Sequence, residues 1–291
     1  MPNKSKFCVG VISILCLILV IITGVLFLRN IEEDKELEEE IKVVEKIRDE
    51  AVITTQTSAT TESVVGTEPS VEVIDDENLL REIDFTYLQD INPDCTRWVY
   101  IPDTNIDYPV MQEPEYRQAG DYHYLHRNFY DKWSSSGSIF TLPQVFNGNE
   151  DAHLILFGHH MVDKTVAFSN LRGYYLSEEN GSKHKYIYLY YPDHSERWLV
   201  WTTATGVNTD KVYTIPYTLG TQDYQDMIDD IANKGEYQLC EKPTCETKLL
   251  VLSTCNGRYA GQTYRLYVVA VPEARYYYST KTLEKEIYYE Q

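Results

Sequence analysis

The sequence predicts a mainly β protein: a closed eight-stranded β-barrel with an N-terminal helix, an extra helix late in the domain, and one N-terminal transmembrane helix. Three observations lead there. Short apolar, strand-like runs recur from residue 97 onward, separated by Pro, Gly, Asp and Asn, with few helical patterns between them. That spacing suits a closed barrel better than the alternating strands and helices of a parallel sheet. The 291 residues include 25 Tyr against 8 Phe, and tyrosine rings pack well on pleated surfaces while the hydroxyl stays wet. Residues 7–28 carry no charged side chain, a stretch long enough as a helix to span about 30 Å of hydrocarbon.

Taken in order, residues 1–6 form a short cytoplasmic N-terminus and 7–28 a transmembrane anchor. Lys4 and Lys6 precede the apolar stretch, and Glu32, Glu33 and Asp34 follow it. The basic flank belongs inside, which predicts a single-pass cell-membrane protein with its remaining mass extracellular. The stretch is long and lacks the small-residue cleavage site of a signal peptide. Bulky Leu15 before Cys16 disfavours a lipoprotein site. Residues 29–50 are charged, with Leu37, Ile41, Val44 and Ile47 at helical spacing, and read as a helical stalk. Residues 51–75 turn to Thr, Ser, Val and Glu without apolar period, as a flexible linker does.

The globular domain is expected over 76–291. Leu79, Leu80, Ile83 and Leu88 predict a helix over 78–90, ended by Asn92-Pro93-Asp94. Strands are expected at 97–101, 106–110, 137–141, 153–157, 186–191, 197–205, 248–254 and 264–271. Two helices interrupt them, one near 166–174 and one over 223–234 with Met227, Ile228 and Ile231 as its apolar stripe.

The formal charge of -19 offers no basic stripe to displace counterions from phosphates, which excludes a nucleic-acid binder. Of six cysteines, Cys8 and Cys16 sit in the apolar span and Cys95, Cys240, Cys245 and Cys255 beyond it. Cys240 and Cys245 flank Pro243 closely enough in sequence for a local bridge. Their spacing has no second ligand pair nearby, which argues against zinc.

The chemistry gathers at strand ends. Cys255 closes the run Leu249-Leu-Val-Leu-Ser-Thr254, Arg265 opens the next run, and Leu154-Ile-Leu-Phe157 ends in Gly158-His159-His160. A thiolate attacks a carbonyl, an imidazole handles protons and a guanidinium steadies an oxyanion, the parts of a thiol transpeptidase. Each residue also has an ordinary reading. Most cysteines are apolar filler, and an arginine at a strand start usually makes a surface ion pair. A thiol outside the cell is either reactive or bridged, here to Cys95. His153 and His159 share a strand parity, but without a carboxylate at ligand spacing they do not suggest a metal. His123 and His126 fall in an aromatic, helical segment and read as surface or packing residues. Gly158 reads as a residue that frees the backbone where the strand ends.

On these residues the chain resembles class B sortases, the membrane-anchored cysteine transpeptidases of Gram-positive bacteria. The resemblance runs from about 77 to 271. It includes Trp98-Val-Tyr-Ile-Pro-Asp-Thr-Asn-Ile-Asp-Tyr-Pro-Val-Met-Gln112, Gly137-Ser-Ile-Phe140, Phe157-Gly-His-His-Met161, Phe168-Ser-Asn-Leu171, and Leu252-Ser-Thr-Cys255 with Arg265. The helix over 223–234 resembles the extra helix that marks class B.

The resemblance implies surface-protein substrates bearing a C-terminal sorting signal, a Pro-x-Thr pentapeptide ending in Gly or Asn. Cys255 attacks the threonine carbonyl to form a thioacyl enzyme, His159 protonates the departing amine and deprotonates the incoming one, and Arg265 stabilises the oxyanion. The acceptor is an amine of a peptidoglycan precursor (lipid II) or, in a pilin-polymerising relative, a pilin lysine. A reading from another class is an inactive, surface-tethered binding module with Cys255 bridged to Cys95. No metal or organic cofactor is implied. Asp107, Met111, Thr209, Tyr213 and Ser253 match substrate-groove positions of the family. Two departures stand out: Asn256 and Gly257 replace frequent acidic residues after the cysteine, leaving a carboxylate support for His159 in question, and Thr141-Leu142 replaces Met-Asp.

Overall fold

The computed structural model describes residues 4–53, 76–114, 122–143, 145–146, 149–150, 152–161, 165–214, 216–255 and 264–285. The chain divides into two compact units, Met1–Val44 and Glu45–Gln291. Helix α1 (Lys4–Ala51) runs unbroken through the expected anchor and stalk. Among the described residues it is the one helix long and apolar enough to cross a membrane. Its side chains from Ile14 to Leu28 include a dozen large apolar groups left exposed, the state expected of a surface made for lipid. Stalk residues Glu39 and Lys42 form an exposed i,i+3 ion pair at 2.9 Å. The expected linker falls on 54–75, which lie outside the described residues.

In the second unit, β1 (Val52–Ile53) pairs with β2 (Glu82–Ile83). The helix expected over 78–90 is shorter: 77–80 form a turn, and α2 (Phe85–Ile91) starts only after β2. Short polar side chains decide this locally. Asp76 accepts the Asn78 amide at 3.0 Å, and Asp84 caps α2 by accepting the Tyr87 amide at 2.9 Å.

All eight expected strands form. They are β3 (Cys95–Tyr100), β4 (Asp107–Gln112), β5 (Ile139–Thr141), β8 (His153–Phe157), β9 (Tyr186–Tyr190), β10 (His194–Val207), β12 (Leu249–Cys255) and β13 (Tyr264–Tyr277). Between β5 and β8 lies a small hairpin, β6 (Val145–Phe146) with β7 (Asn149–Glu150). The order around the sheet is β10-β9-β3-β4-β5-β8-β12-β13, and β13 pairs back to β10, closing the barrel. Closure removes free strand edges. Short strands β11 (Gly235–Gln238) and β14 (Thr282–Lys285) add to β10 and β13.

Alternation along the strands makes two cores. Val99, Val110, Leu154, Leu156, Leu250, Leu252 and Val268 fill the interior. Ile155, Val251 and Val269 point to the outer face, where α5 (Gln222–Lys234) covers them. Thr221 caps α5 at the Tyr224 amide, and Tyr224, Met227, Ile228 and Ile231 form its buried stripe. Each such side chain taken from water contributes roughly 1.5–3 kcal/mol.

The helix expected near 166–174 is instead two short ones, α3 (Leu171–Tyr175) and α4 (Glu178–Lys183). Ala167 stands at φ 45°, a left-handed conformation that stops a helix from starting earlier.

Candidate active site

β8 and β12 run parallel, with Phe157 opposite Ser253. β12 and β13 run antiparallel, with Cys255 directly opposite Arg265. In such a pair the Cβ atoms stand about 4.5–5.5 Å apart. Because Leu250, Leu252, Leu266 and Val268 face inward, Ser253, Cys255 and Arg265 share the outer face with Val251 and Val269. On β8 the outward residues are Ile155 and Phe157, and His159 follows two residues later. The ladder therefore sets the thiol opposite the guanidinium, and the parallel neighbour β8 leads to the imidazole two residues past its end.

Two bonds tie the ends of β8 and β12 beside these residues. The Gly158 amide donates to the Ser253 carbonyl at 3.1 Å, and the Thr254 hydroxyl donates to the Gly158 carbonyl at 2.8 Å. Gly158 does not serve as the sequence suggested. Its backbone is not left-handed; a Cβ there would lie 2.6 Å from the buried Phe168 ring, so close approach is what demands glycine.

His159 Nε2 lies 2.7 Å from the Leu125 carbonyl oxygen. A carbonyl only accepts, so Nε2 carries the proton, and in the neutral ring Nδ1 is the acceptor. Burial pushes the imidazole below its ordinary pKa of 6.5, the Leu125 hydrogen bond opposes that shift, and the neighbouring His126 adds to it. The net shift favours the neutral ring. An Arg265 guanidinium nitrogen donates to the Tyr264 carbonyl at 3.0 Å.

The secondary positions separate. The Tyr213 hydroxyl and Ser253 Oγ lie 2.8 Å apart, and the Tyr213 ring stacks on Phe157 at 6.3 Å. Burial raises the Tyr213 phenol well above its ordinary value, with Ser253 and Arg265 pulling the other way. Tyr213 and Ser253 thus flank Cys255 and Arg265. Thr209 sits exposed in the turn after β10. Met111 is fully buried, opposite Cys95 on one side and Phe140 on the other. Asp107 accepts from Arg81 at 2.8 Å and from the Trp98 indole at 2.6 Å. Its carboxylate fastens the segment before α2 to the barrel, a structural task that sequence did not reveal.

The bridge from Cys255 to Cys95 is not formed, which removes the footing of the inactive-module reading. Both thiols are free, and Cys95 is buried at the start of β3, separated from β12 by β4, β5 and β8 along the sheet. Burial pushes its thiol up to about 12. Cys245 also keeps a free thiol, so the local bridge to Cys240 is absent. His153 is buried with Nε2 2.9 Å from the Val212 carbonyl. The residues that follow Cys255, 256–263, lie outside the described residues.

Sequence reasoning missed His126 and the Leu125 carbonyl. The His126 ring lies 5.5 Å from that of His159 and stacks on exposed Trp133 at 5.2 Å. Its place in the Tyr-Leu-His triplet beside other aromatics was the available signal. A backbone carbonyl has none.

The model of the Sortase domain family matches residues 99–273, more than half of the chain. The chain belongs to the sortase family. Sortases are cysteine transpeptidases, and this one is similar to class B enzymes. It is 30% identical to Sortase B of Staphylococcus aureus over 186 residues, 64% of this chain and 73% of that protein. It is 29% identical to Sortase B of Listeria monocytogenes over 179 residues, 58% of this chain and 65% of that protein. Among solved structures, a Staphylococcus aureus sortase B–substrate complex superposes with a TM-score of 0.56 at 28% identity, covering 65% of this chain and 84% of that one. The sortase B likeness agrees with the closed eight-stranded barrel described above.

Proposed function

We propose that this sortase cleaves a C-terminal sorting signal after threonine and transfers the surface protein to an amine of the cell wall. The observation that carries the reading is the pairing of Cys255 with Arg265 across one ladder while the parallel neighbour β8 leads to His159.

Cys255 Sγ attacks the threonine carbonyl carbon, and the carbonyl electron pair moves onto oxygen. Arg265 donates to that oxyanion, an interaction strengthened where water is partly excluded. The intermediate collapses by expelling the amine of the following residue, which takes the proton held at His159 Nδ1. That proton came from the thiol, so the count balances. In the second half, an amine of a peptidoglycan precursor gives a proton to His159 and attacks the thioester carbonyl, releasing the thiolate, which takes that proton back from His159. The Nε2–H bond to Leu125 suits this role, since it leaves Nδ1 as the exchanging nitrogen. Tyr213 and Ser253 are assigned to the walls of the substrate groove, Thr209 to its rim, and the basic flank at Lys4 and Lys6 to the cytoplasmic side, which sets the barrel outside the cell.

The test uses the full chain in detergent with quenched fluorescent peptides of the Asn-Pro-Gln-Thr-Asn, Ser-Pro-x-Thr-Gly and Leu-Pro-x-Thr-Gly types. Cysteine-dependent cleavage after Thr, and amide formation with an added oligoglycine, are expected. Cleavage that persists in Cys255→Ala would refute the assignment.

A further inference from the structure

Glu113, just beyond β4, is a carboxylate only 1% exposed that the transpeptidase chemistry leaves unexplained. Its amide donates to the Thr141 carbonyl at 2.8 Å, which fixes its backbone to the end of β5. Its two oxygens accept separately, one from the His123 amide at 3.1 Å and one from the Tyr124 amide at 2.8 Å. These amides open the 3-10 turn His123–His126, where a helix has no carbonyls of its own to offer them. Tyr122, at the cap position, supplies no side-chain bond. Glu113 caps the turn from a distant strand.

The same turn delivers the Leu125 carbonyl to His159 Nε2 at 2.7 Å. It is clamped from the other side as well. The Ser138 amide donates to the Tyr124 carbonyl at 3.0 Å, and the Tyr124 hydroxyl donates to Asp94 at 2.6 Å. Gly137, at φ 58°, lets the chain pass so close that a Cβ would stand 2.3 Å from the Leu125 oxygen. The carbonyl that selects the His159 tautomer is thus held between a glycine and a carboxylate-capped turn.

We propose that Glu113 is a positioning residue for transpeptidation, setting the tautomer and ring orientation of His159 through the Leu125 carbonyl. The carboxylate support missing at 256 and 257 is supplied at one remove, by way of the backbone. The proposal rests on the proton-transfer role given to His159. A ring free to rotate presents Nδ1 to Cys255 only part of the time, and misplacement by about 1 Å costs on the order of 100-fold in rate.

The experiment compares Glu113→Ala, Glu113→Gln and Gly137→Ala in the full chain in detergent. It reads kcat and KM on a cleaved peptide, together with the imidazole 15N shifts of His159. Glu113→Ala is expected to lower kcat about 10- to 100-fold with KM held within about two-fold, and to lose the Nε2–H signature. Glu113→Gln keeps one acceptor oxygen and recovers part of both. Gly137→Ala, which presses on the Leu125 oxygen directly, reproduces the loss. A folded Glu113→Ala with unchanged kcat and an intact Nε2–H tautomer overturns the proposal. If that variant does not fold, unchanged kcat and tautomer in both Glu113→Gln and Gly137→Ala overturn it instead. Activity surviving in His159→Ala would sink the proton-transfer reading separately, while the wild-type and Glu113 tautomer signals still report whether Glu113 governs the ring.

Discussion

Replacing Thr254 with valine isolates the latch between the two strands that carry His159 and Cys255. Valine keeps the branched shape and strand preference of threonine and removes only the hydroxyl that donates to the Gly158 carbonyl at 2.8 Å. Thr254 is 3% exposed, so water cannot easily replace the lost donor. A buried acceptor deprived of its partner costs about 1–3 kcal/mol. For a unit the size of Glu45–Gln291, each kcal/mol lowers the melting midpoint by about 2–4 °C. Gly158 immediately precedes His159, and Thr254 immediately precedes Cys255, so loosening this bond widens the spread of imidazole-to-thiol distances. Single-turnover acylation by a sorting peptide is expected to slow about ten-fold or more. Thr254→Ser, which retains the donor, is expected to stay near wild type in rate. Melting and acylation of Thr254→Val both at wild-type values would refute the idea that this bond holds the two residues in register.

The remaining predictions concern charge and packing. Cys255→Ala should abolish thioacyl formation, detectable by mass spectrometry of trapped intermediate, without unfolding the barrel. Arg265→Lys should lose about 100- to 1,000-fold in kcat, since a lysine cannot reproduce the planar fork of donors at the oxyanion; wild-type-like turnover would remove Arg265 from the site. Burial alone would raise the Glu196 carboxyl, but His194 and Arg275, the latter at 2.6 Å, hold it near about 2. Its folded value lies below its unfolded 4.5, so its stabilising contribution is present above pH 4.5 and lost as pH falls toward 2. Glu196→Gln should flatten the acid limb of a stability–pH curve, and an unchanged limb would refute the pairing. Gly158→Ala should destabilise by about 1–3 kcal/mol through its clash with Phe168, measurable by denaturant unfolding.

Much of this architecture was legible residue by residue. The eight strands appear where apolar runs end in turn residues, because strand formation is advertised by neighbours in sequence. The stripe of Met227, Ile228 and Ile231 announces α5 for the same reason. The helix expected over 78–90 failed because Asp76 and Asp84 bond to nearby amides and break the segment in two, a competition that apolar spacing does not register. Ala167 likewise takes a left-handed conformation that its residue type does not suggest.

At the site, sequence alone determined which chemical groups stand at strand ends: the thiol of Cys255, the imidazole of His159 and the guanidinium of Arg265. Tertiary structure decided which strands stand side by side, with Cys255 opposite Arg265 and β8, which leads to His159, alongside β12. The parallel pairing of β8 with β12 joins residues 96 apart in sequence, and only the closed sheet chooses those neighbours. It also decided that Asp107 serves Arg81 and Trp98, and that Cys95 is sealed away from Cys255. The Leu125 carbonyl and its Glu113-capped turn could not be read in advance. Every residue has a carbonyl, and only long-range packing determines which one an imidazole finds.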